Sequence, residues 1–131
     1  LLLSKDIMIK GKKLPIIDYK KNLDGALKII NQKKLGIVVV LKKNYIEGLV
    51  TDGDLRRKRK VFSKKTNLNE FMTKKPFVVN ENMSADKALN IMSEKKITSL
   101  LIVSDNDYKK KKKMKLKGII HIHFLLKSGI K

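Results

Sequence analysis

The sequence predicts an α/β protein (α+β in its mixture of sheet and helix) made of two copies of one strand–helix–strand–strand–helix unit. Two observations predict it. An amphipathic pattern at Leu23, Ala26, Leu27 and Ile30, with i, i+3, i+4, i+7 spacing, recurs about sixty residues later at Ala85, Ala88, Leu89 and Met92. Each pattern is followed by an apolar run suited to burial on both faces, Gly36-Ile37-Val38-Val39-Val40-Leu41 and Ser99-Leu100-Leu101-Ile102-Val103.

The remaining elements follow in order. Asp6-Ile7-Met8 precedes Leu14-Pro15-Ile16-Ile17 as Glu70-Phe71-Met72 precedes Pro76-Phe77-Val78-Val79, with each proline at a strand entrance or edge. Asn22 and Ser84 are N-cap residues for the two long helices. After the apolar runs come a loop and a second strand, Ile46 to Val50 and Leu116 to Ile120, then a short helix, Asp52 to Arg59 and Ile122 to Lys127. Ser63 to Asn69 reads as a polar connector, which divides the chain into repeats 1–62 and 63–131. Units of this size are marginal alone, so each is expected to need the other to cover its sheet face.

A chain of 131 residues with 42% hydrophobic content has the size and core of one ordinary domain. No apolar run is long enough to cross a bilayer, Leu1-Leu2-Leu3 is too short for a signal peptide, and a start at Leu points to an excised fragment. With no Cys there is no disulfide, thiolate metal site or cysteine nucleophile, which fits a reducing cytoplasm. The net charge of +20 makes nucleic acid the first partner to weigh. Against it, the basic residues are Lys apart from Arg56, Arg57 and Arg59, and the aromatics form no stacking stripe, so salt-sensitive adhesion rather than specific recognition is expected. Lys109 to Lys113, after the turn-forming Asp105-Asn106-Asp107-Tyr108, reads as a solvated hairpin tip.

Thr51-Asp52-Gly53-Asp54-Leu55-Arg56-Arg57 carries the most chemistry, because it places polar groups where a strand gives way to a helix. Free N–H groups there favour an anion, Asp54 can accept from hydroxyls, and Arg57 can fork onto phosphate or carboxylate. The same residues fit a capping box, Thr51-x-x-Asp54 with Gly53 easing the turn, and that role alone could account for them. Neither nucleophile–base pair nor carboxylate dyad occurs at a recognisable spacing, so catalysis within the chain is not expected.

The doubled pattern, from Asp-Ile-Met to Gly-hydrophobic-hydrophobic-Thr-x-x-Asp, resembles a tandem pair of CBS domains over nearly the whole chain. That resemblance implies two βαββα repeats packed by pseudo-two-fold symmetry into one Bateman-type module. Gly48-Leu49-Val50-Thr51-Asp52-Gly53-Asp54-Leu55-Arg56-Arg57, Lys96-Ile97-Thr98-Ser99-Leu100 and the segment from Gly118 to Ile130 are similar to the C-terminal CBS pair of bacterial arabinose-5-phosphate isomerases. In that family a sugar isomerase domain lies upstream and makes arabinose 5-phosphate on the route to the lipopolysaccharide sugar Kdo. Nothing here resembles that domain. In CBS pairs the Thr of the last motif commonly lies near phosphate and the Asp near ribose hydroxyls, which implies those roles for Thr51 and Asp54.

The second copy departs from the pattern. Aligning Gly118 with Gly48 puts His121 at the place of Thr51 and Phe124 at that of Asp54, so a ribose-binding carboxylate is missing there. Phe124 can fill the cleft, stack a base or pack. His121 and His123 can share one face, which raises a metal site, but no Cys or third ligand accompanies them and a hydrogen-bonding role in the cleft is preferred. Thr98 and Ser99 either bond at a strand entrance or touch the ligand.

The expectation is therefore a non-catalytic regulatory module that needs no cofactor and binds a nucleotide or nucleotide-sugar such as CMP-Kdo. Its ligand residues are Thr51, Asp52, Gly53, Asp54, Arg57, Thr98, Ser99, His121 and His123. It forms a homodimer through its CBS pairs, belongs beside an isomerase domain, and engages neither membrane nor specific nucleic acid. The competing reading is a purely structural oligomerisation module.

Overall fold

The computed structural model describes residues 1–58 and 63–127, so the expected helix end at Arg59 and the motif end Ser128-Gly129-Ile130 lie outside the described residues. The chain runs α1 (Ser4–Ile7), a 3-10 turn (Gly11–Lys13), β1 (Ile16–Asp18), α2 (Leu23–Lys33), β2 (Ile37–Lys42), β3 (Tyr45–Thr51) and α3 (Asp52–Lys58). It continues with α4 (Leu68–Phe71), β4 (Thr73–Lys74), β5 (Val78–Asn80), α5 (Ala85–Lys95), β6 (Ser99–Val103), α6 (Asp105–Lys110), β7 (Gly118–His121) and α7 (Ile122–Lys127). The strand–helix–strand–strand–helix order thus appears twice, as β1-α2-β2-β3-α3 and β5-α5-β6-β7-α7.

Local chemistry sets the helix ends. The Asn22 side chain accepts from Gly25 N–H at 3.1 Å, and Ser84 Oγ accepts from Lys87 N–H at 3.1 Å, so each long helix has one orphan donor satisfied at its start. Both helices stop at a lysine in the left-handed region, Lys34 at φ 60° and Lys96 at φ 56°. Each then turns directly into a buried strand.

The chain falls into two compact units, Pro15–Pro76 and Leu1–Leu14 with Phe77–Lys131. In the first, β1 pairs parallel with β2, β2 antiparallel with β3, and β3 antiparallel with β4. The β2–β3 turn puts Lys43 and Asn44 both at positive φ, the geometry that joins twisted strands with two residues. In the second unit β5 pairs parallel with β6 and β6 antiparallel with β7, while Ile9 bridges Ile119 in the place that β4 holds beside β3.

Relative to the sequence repeats 1–62 and 63–131, the entry segments are exchanged. Leu68, Phe71 and Met72 are buried with Leu23, Ala26, Ile30, Val38, Val40 and Val50, whereas Ile7 and Met8 pack against the core of Val79, Ala88, Met92, Leu100, Ile120 and Leu125. Glycine permits each docking. A Cβ on Gly48 would lie 2.9 Å from the Thr73 carbonyl oxygen and one on Gly118 2.8 Å from that of Ile9, with the side chains of Met72 and Met8 closer still. The glycine that opens each recurring Gly-hydrophobic-hydrophobic motif is therefore where an entry segment crosses the sheet.

Three expectations are corrected. The segment between the repeats is not polar throughout, because Leu68 is 0% exposed and belongs to the first core. The turn-forming cluster Asp105-Asn106-Asp107-Tyr108 that leads into the exposed run Lys109 to Lys113 is helical: Ser104 Oγ accepts from Asp107 N–H at 3.0 Å, and Lys109 pairs with Asp105 and Lys110 with Asp107 along α6. A cap and i, i+3 and i, i+4 pairs outweigh the turn preference of Asp-Asn-Asp. The strand expected from Leu116 starts at Gly118.

Candidate functional site

In the Pro15–Pro76 unit, β3 ends on Thr51 and α3 begins at Asp52, so the polar heptapeptide spans the strand-to-helix junction. Thr51 Oγ1 accepts from Asp54 N–H at 3.0 Å and Asp54 Oδ2 accepts from Thr51 N–H at 3.1 Å, a reciprocal capping box. Arg57 Nη2 donates to Asp54 Oδ1 at 2.6 Å, and Thr73 Oγ1 donates to Oδ2 at 3.5 Å. The Asp54 side chain is only 6% exposed while that of Arg57 is 69% exposed, so a buried carboxylate is covered by a cation that reaches in from solvent.

The other members of the heptapeptide frame this pair. Asp52 is exposed and its N–H donates to the Gly36 carbonyl at 3.0 Å, which fixes the first residue of α3 against the start of β2. Gly53 lies under the guanidinium, where a Cβ would stand 3.0 Å from Arg57 Nη1. Lys58 Nζ donates to the Phe71 carbonyl at 3.1 Å and lies over its ring, tying α3 to α4. Thr73 escaped the sequence reading, because by sequence it belongs to the entry of the second repeat. The signal that could have found it is Gly48, which marks the crossing point of that segment.

In the other unit the backbone repeats the arrangement with different side chains. Ile122 N–H donates to the Thr98 carbonyl at 2.9 Å, as Asp52 does to Gly36, and Ser99 pairs with His121 as Ile37 pairs with Thr51. His121 is buried and its Nδ1 accepts from His123 N–H at 3.2 Å, so an imidazole nitrogen takes over the capping role of a threonine hydroxyl. That bond needs Nδ1 without a proton. Burial first, and the neighbouring His123 second, hold the His121 pKa below its usual value.

His123 is exposed and stacked on His121, with ring centroids 5.0 Å apart. Phe124 meets the His121 ring edge-on and stays 47% exposed, so at the position of Asp54 stands a half-exposed aromatic. Thr98 is exposed, whereas Ser99 Oγ is buried without a hydrogen-bond partner among the described residues. Among the described residues no group of three His, Cys, Asp or Glu is placed to hold a metal ion. No helix among them is long and apolar enough to cross a membrane.

These repeated junctions, each with a glycine-crossed strand leading into a short helix, define a duplicated βαββα module. The CBS domain profile matches residues 4–60 and again 68–123, and the chain belongs to the CBS domain family. It is 37% identical over 136 residues to an arabinose 5-phosphate isomerase of Yersinia pestis, covering 99% of this chain and 38% of that protein. With the isomerase of Escherichia coli K12 the identity is 35% over the same coverage. An uncharacterized protein of Rickettsia prowazekii is 35% identical over 127 residues, 96% of this chain and 37% of that protein. The chain therefore spans little more than a third of the length of these relatives.

Among solved structures, the CBS domain pair of MJ0100 in complex with 5′-methylthioadenosine and S-adenosyl-L-methionine superposes with TM-score 0.79 at 18% identity, covering 98% of this chain and 96% of that one. CBSX2 in complex with AMP gives TM-score 0.79 at 22% identity with the same coverage. These likenesses establish the fold.

Proposed function

We propose that this chain is the non-catalytic regulatory CBS pair of an arabinose-5-phosphate isomerase, sensing a nucleotide or a nucleotide-sugar such as CMP-Kdo. The observation that carries this reading is the carboxylate of Asp54, buried at the strand-to-helix junction between Thr51 and Arg57. A buried carboxylate is costly unless it is well hydrogen-bonded, and its position suits hydroxyl donors from a ribose. Thr51 accepts through Oγ1 from the backbone, which leaves its own hydroxyl proton to donate to a phosphate oxygen. Asp52 and Gly53 complete the junction. The complexes of fold relatives with AMP and with S-adenosyl-L-methionine support a ligand that contains a ribose.

In the second repeat, Thr98, Ser99, His121 and His123 form a site of different character. It has a buried hydroxyl at Ser99 without a partner among the described residues and, at His121, an imidazole whose pKa burial lowers, but no acid at Phe124, so we assign the ribose to the Asp54 side. CMP-Kdo fits as an end-product effector of the route to Kdo, in a cytoplasmic isomerase that dimerises through its CBS pairs. Calorimetric titration with AMP, CMP and CMP-Kdo tests this: saturable binding of at least one supports it, and heats of dilution alone for all three contradict it.

A structural role without ligand is the second reading. It is favoured by the exposed apolar side chains Phe124 and Leu126 on α7, which suit burial against another subunit. Light scattering separates the two: a ligand-independent dimer that binds none of the three nucleotides supports it.

A further inference from the structure

We infer that Arg57 makes this site select a phosphorylated nucleoside over the same nucleoside without phosphate; the inference rests on the nucleotide reading above. Both oxygens of the Asp54 carboxylate already accept from the protein, and the guanidinium of Arg57 covers Oδ1. Oδ2 takes the Thr51 N–H and the Thr73 hydroxyl, and Oδ1 takes Arg57 Nη2 at 2.6 Å. With the side chain only 6% exposed, a ribose hydroxyl reaches Oδ1 by replacing the guanidinium.

That replacement is unequal for the two kinds of ligand. A bare nucleoside exchanges a charge-assisted bond for a neutral one and leaves the guanidinium with water alone. A nucleotide brings a phosphate onto which the displaced guanidinium can fork, so the charged contact is moved rather than lost. Arg57 is suited to the exchange, because its side chain is 69% exposed and reaches Asp54 from solvent. Gly53 is part of the same device: a Cβ there would stand 3.0 Å from Nη1 and crowd the guanidinium away from the carboxylate.

The selection is read by titrating the chain with two pairs of probes, AMP against adenosine and CMP against cytidine. In the unsubstituted protein the nucleotide of the pair that binds is expected to be favoured by about tenfold to a hundredfold, the range spanned by one charge-assisted hydrogen bond. Arg57→Ala should weaken the nucleotide and strengthen or spare the nucleoside, shrinking the preference by about tenfold. Arg57→Lys, which keeps the charge without the fork, should fall between. Gly53→Ala gives an independent handle, since its Cβ presses on the guanidinium while Arg57 is retained, and it should narrow the preference for the nucleotide over the nucleoside.

Circular dichroism establishes that each variant is folded. An unchanged preference in folded Arg57→Ala, or equal affinity for both members of a pair in the unsubstituted protein, overturns the inference while the nucleotide reading stands. If none of the four probes binds, the inference falls, and the titration with CMP-Kdo decides whether the nucleotide-sugar reading falls with it.

Discussion

Replacing Asp54 by alanine perturbs fold and site at once, and the structure separates the two effects. The variant leaves the Thr51 N–H without its acceptor, removing half of a capping box, a loss of about 1 kcal/mol. It also removes the contact with Arg57, but that partner is largely exposed, so this ion pair adds only about 0–1 kcal/mol. The Thr73 hydroxyl at 3.5 Å is too distant to add much. Alanine's higher helix propensity returns roughly 0.5 kcal/mol. The net loss is about 0.5–1.5 kcal/mol, a fall in Tm of roughly 4 °C for a domain of this size. Urea unfolding followed by circular dichroism measures it, and an unchanged midpoint would mean that the carboxylate does not anchor the junction as described. Ligand affinity in the same variant should fall by more than the loss of stability accounts for.

Leu68→Ala should cost about 2–5 kcal/mol, because this residue from the inter-repeat segment is fully buried in the first core; a change below about 0.5 kcal/mol, the range of ordinary surface substitutions, would contradict that placement. Gly48→Ala should cost about 1–3 kcal/mol, since its Cβ meets the Thr73 carbonyl at 2.9 Å and a backbone atom cannot swing aside; a neutral effect in urea unfolding would argue against the crossing. His121 makes stability depend on pH. Its folded-state pKa lies below the ordinary 6.5, so the unfolded chain binds the proton more tightly and stability falls as pH drops through the window from 6.5 to the lowered value. Thermal melts from about pH 8 to pH 5 should show this loss, and His121→Gln should flatten the slope across the range in which histidine titrates.

Much of the fold was legible because the signals were local. The helical spacing at Leu23 to Ile30 and Ala85 to Met92, with caps at Asn22 and Ser84, fixes the two long helices. The apolar runs at 37–41 and 99–103 fix the central strands. What stayed hidden depends on contacts distant in sequence. The burial of Phe71, Met72 and Leu68 under the first repeat, and of Ile7 and Met8 under the second, follows from which sheet each segment crosses, and the pattern of either segment alone is silent on that. The helix at Asp105–Lys110 was missed for a different reason, since Asp and Asn favour both turns and first helical turns, and the Ser104 cap and the Lys109–Asp105 and Lys110–Asp107 pairs distinguish them. At the site, the capping box of Thr51 and Asp54 was legible from the Thr-x-x-Asp spacing. That the carboxylate is already covered by Arg57 and touched by Thr73 emerges only from the folded geometry.

The central claim is that the Asp54 junction binds the ribose of a nucleotide, and calorimetric titration of the chain and its Asp54→Ala variant with the same panel of AMP, CMP and CMP-Kdo tests it most directly. The account predicts saturable binding of one ribose ligand per chain, because the second repeat carries Phe124 where the acid would stand, and its loss in a variant that remains folded. Undiminished binding by folded Asp54→Ala would contradict it.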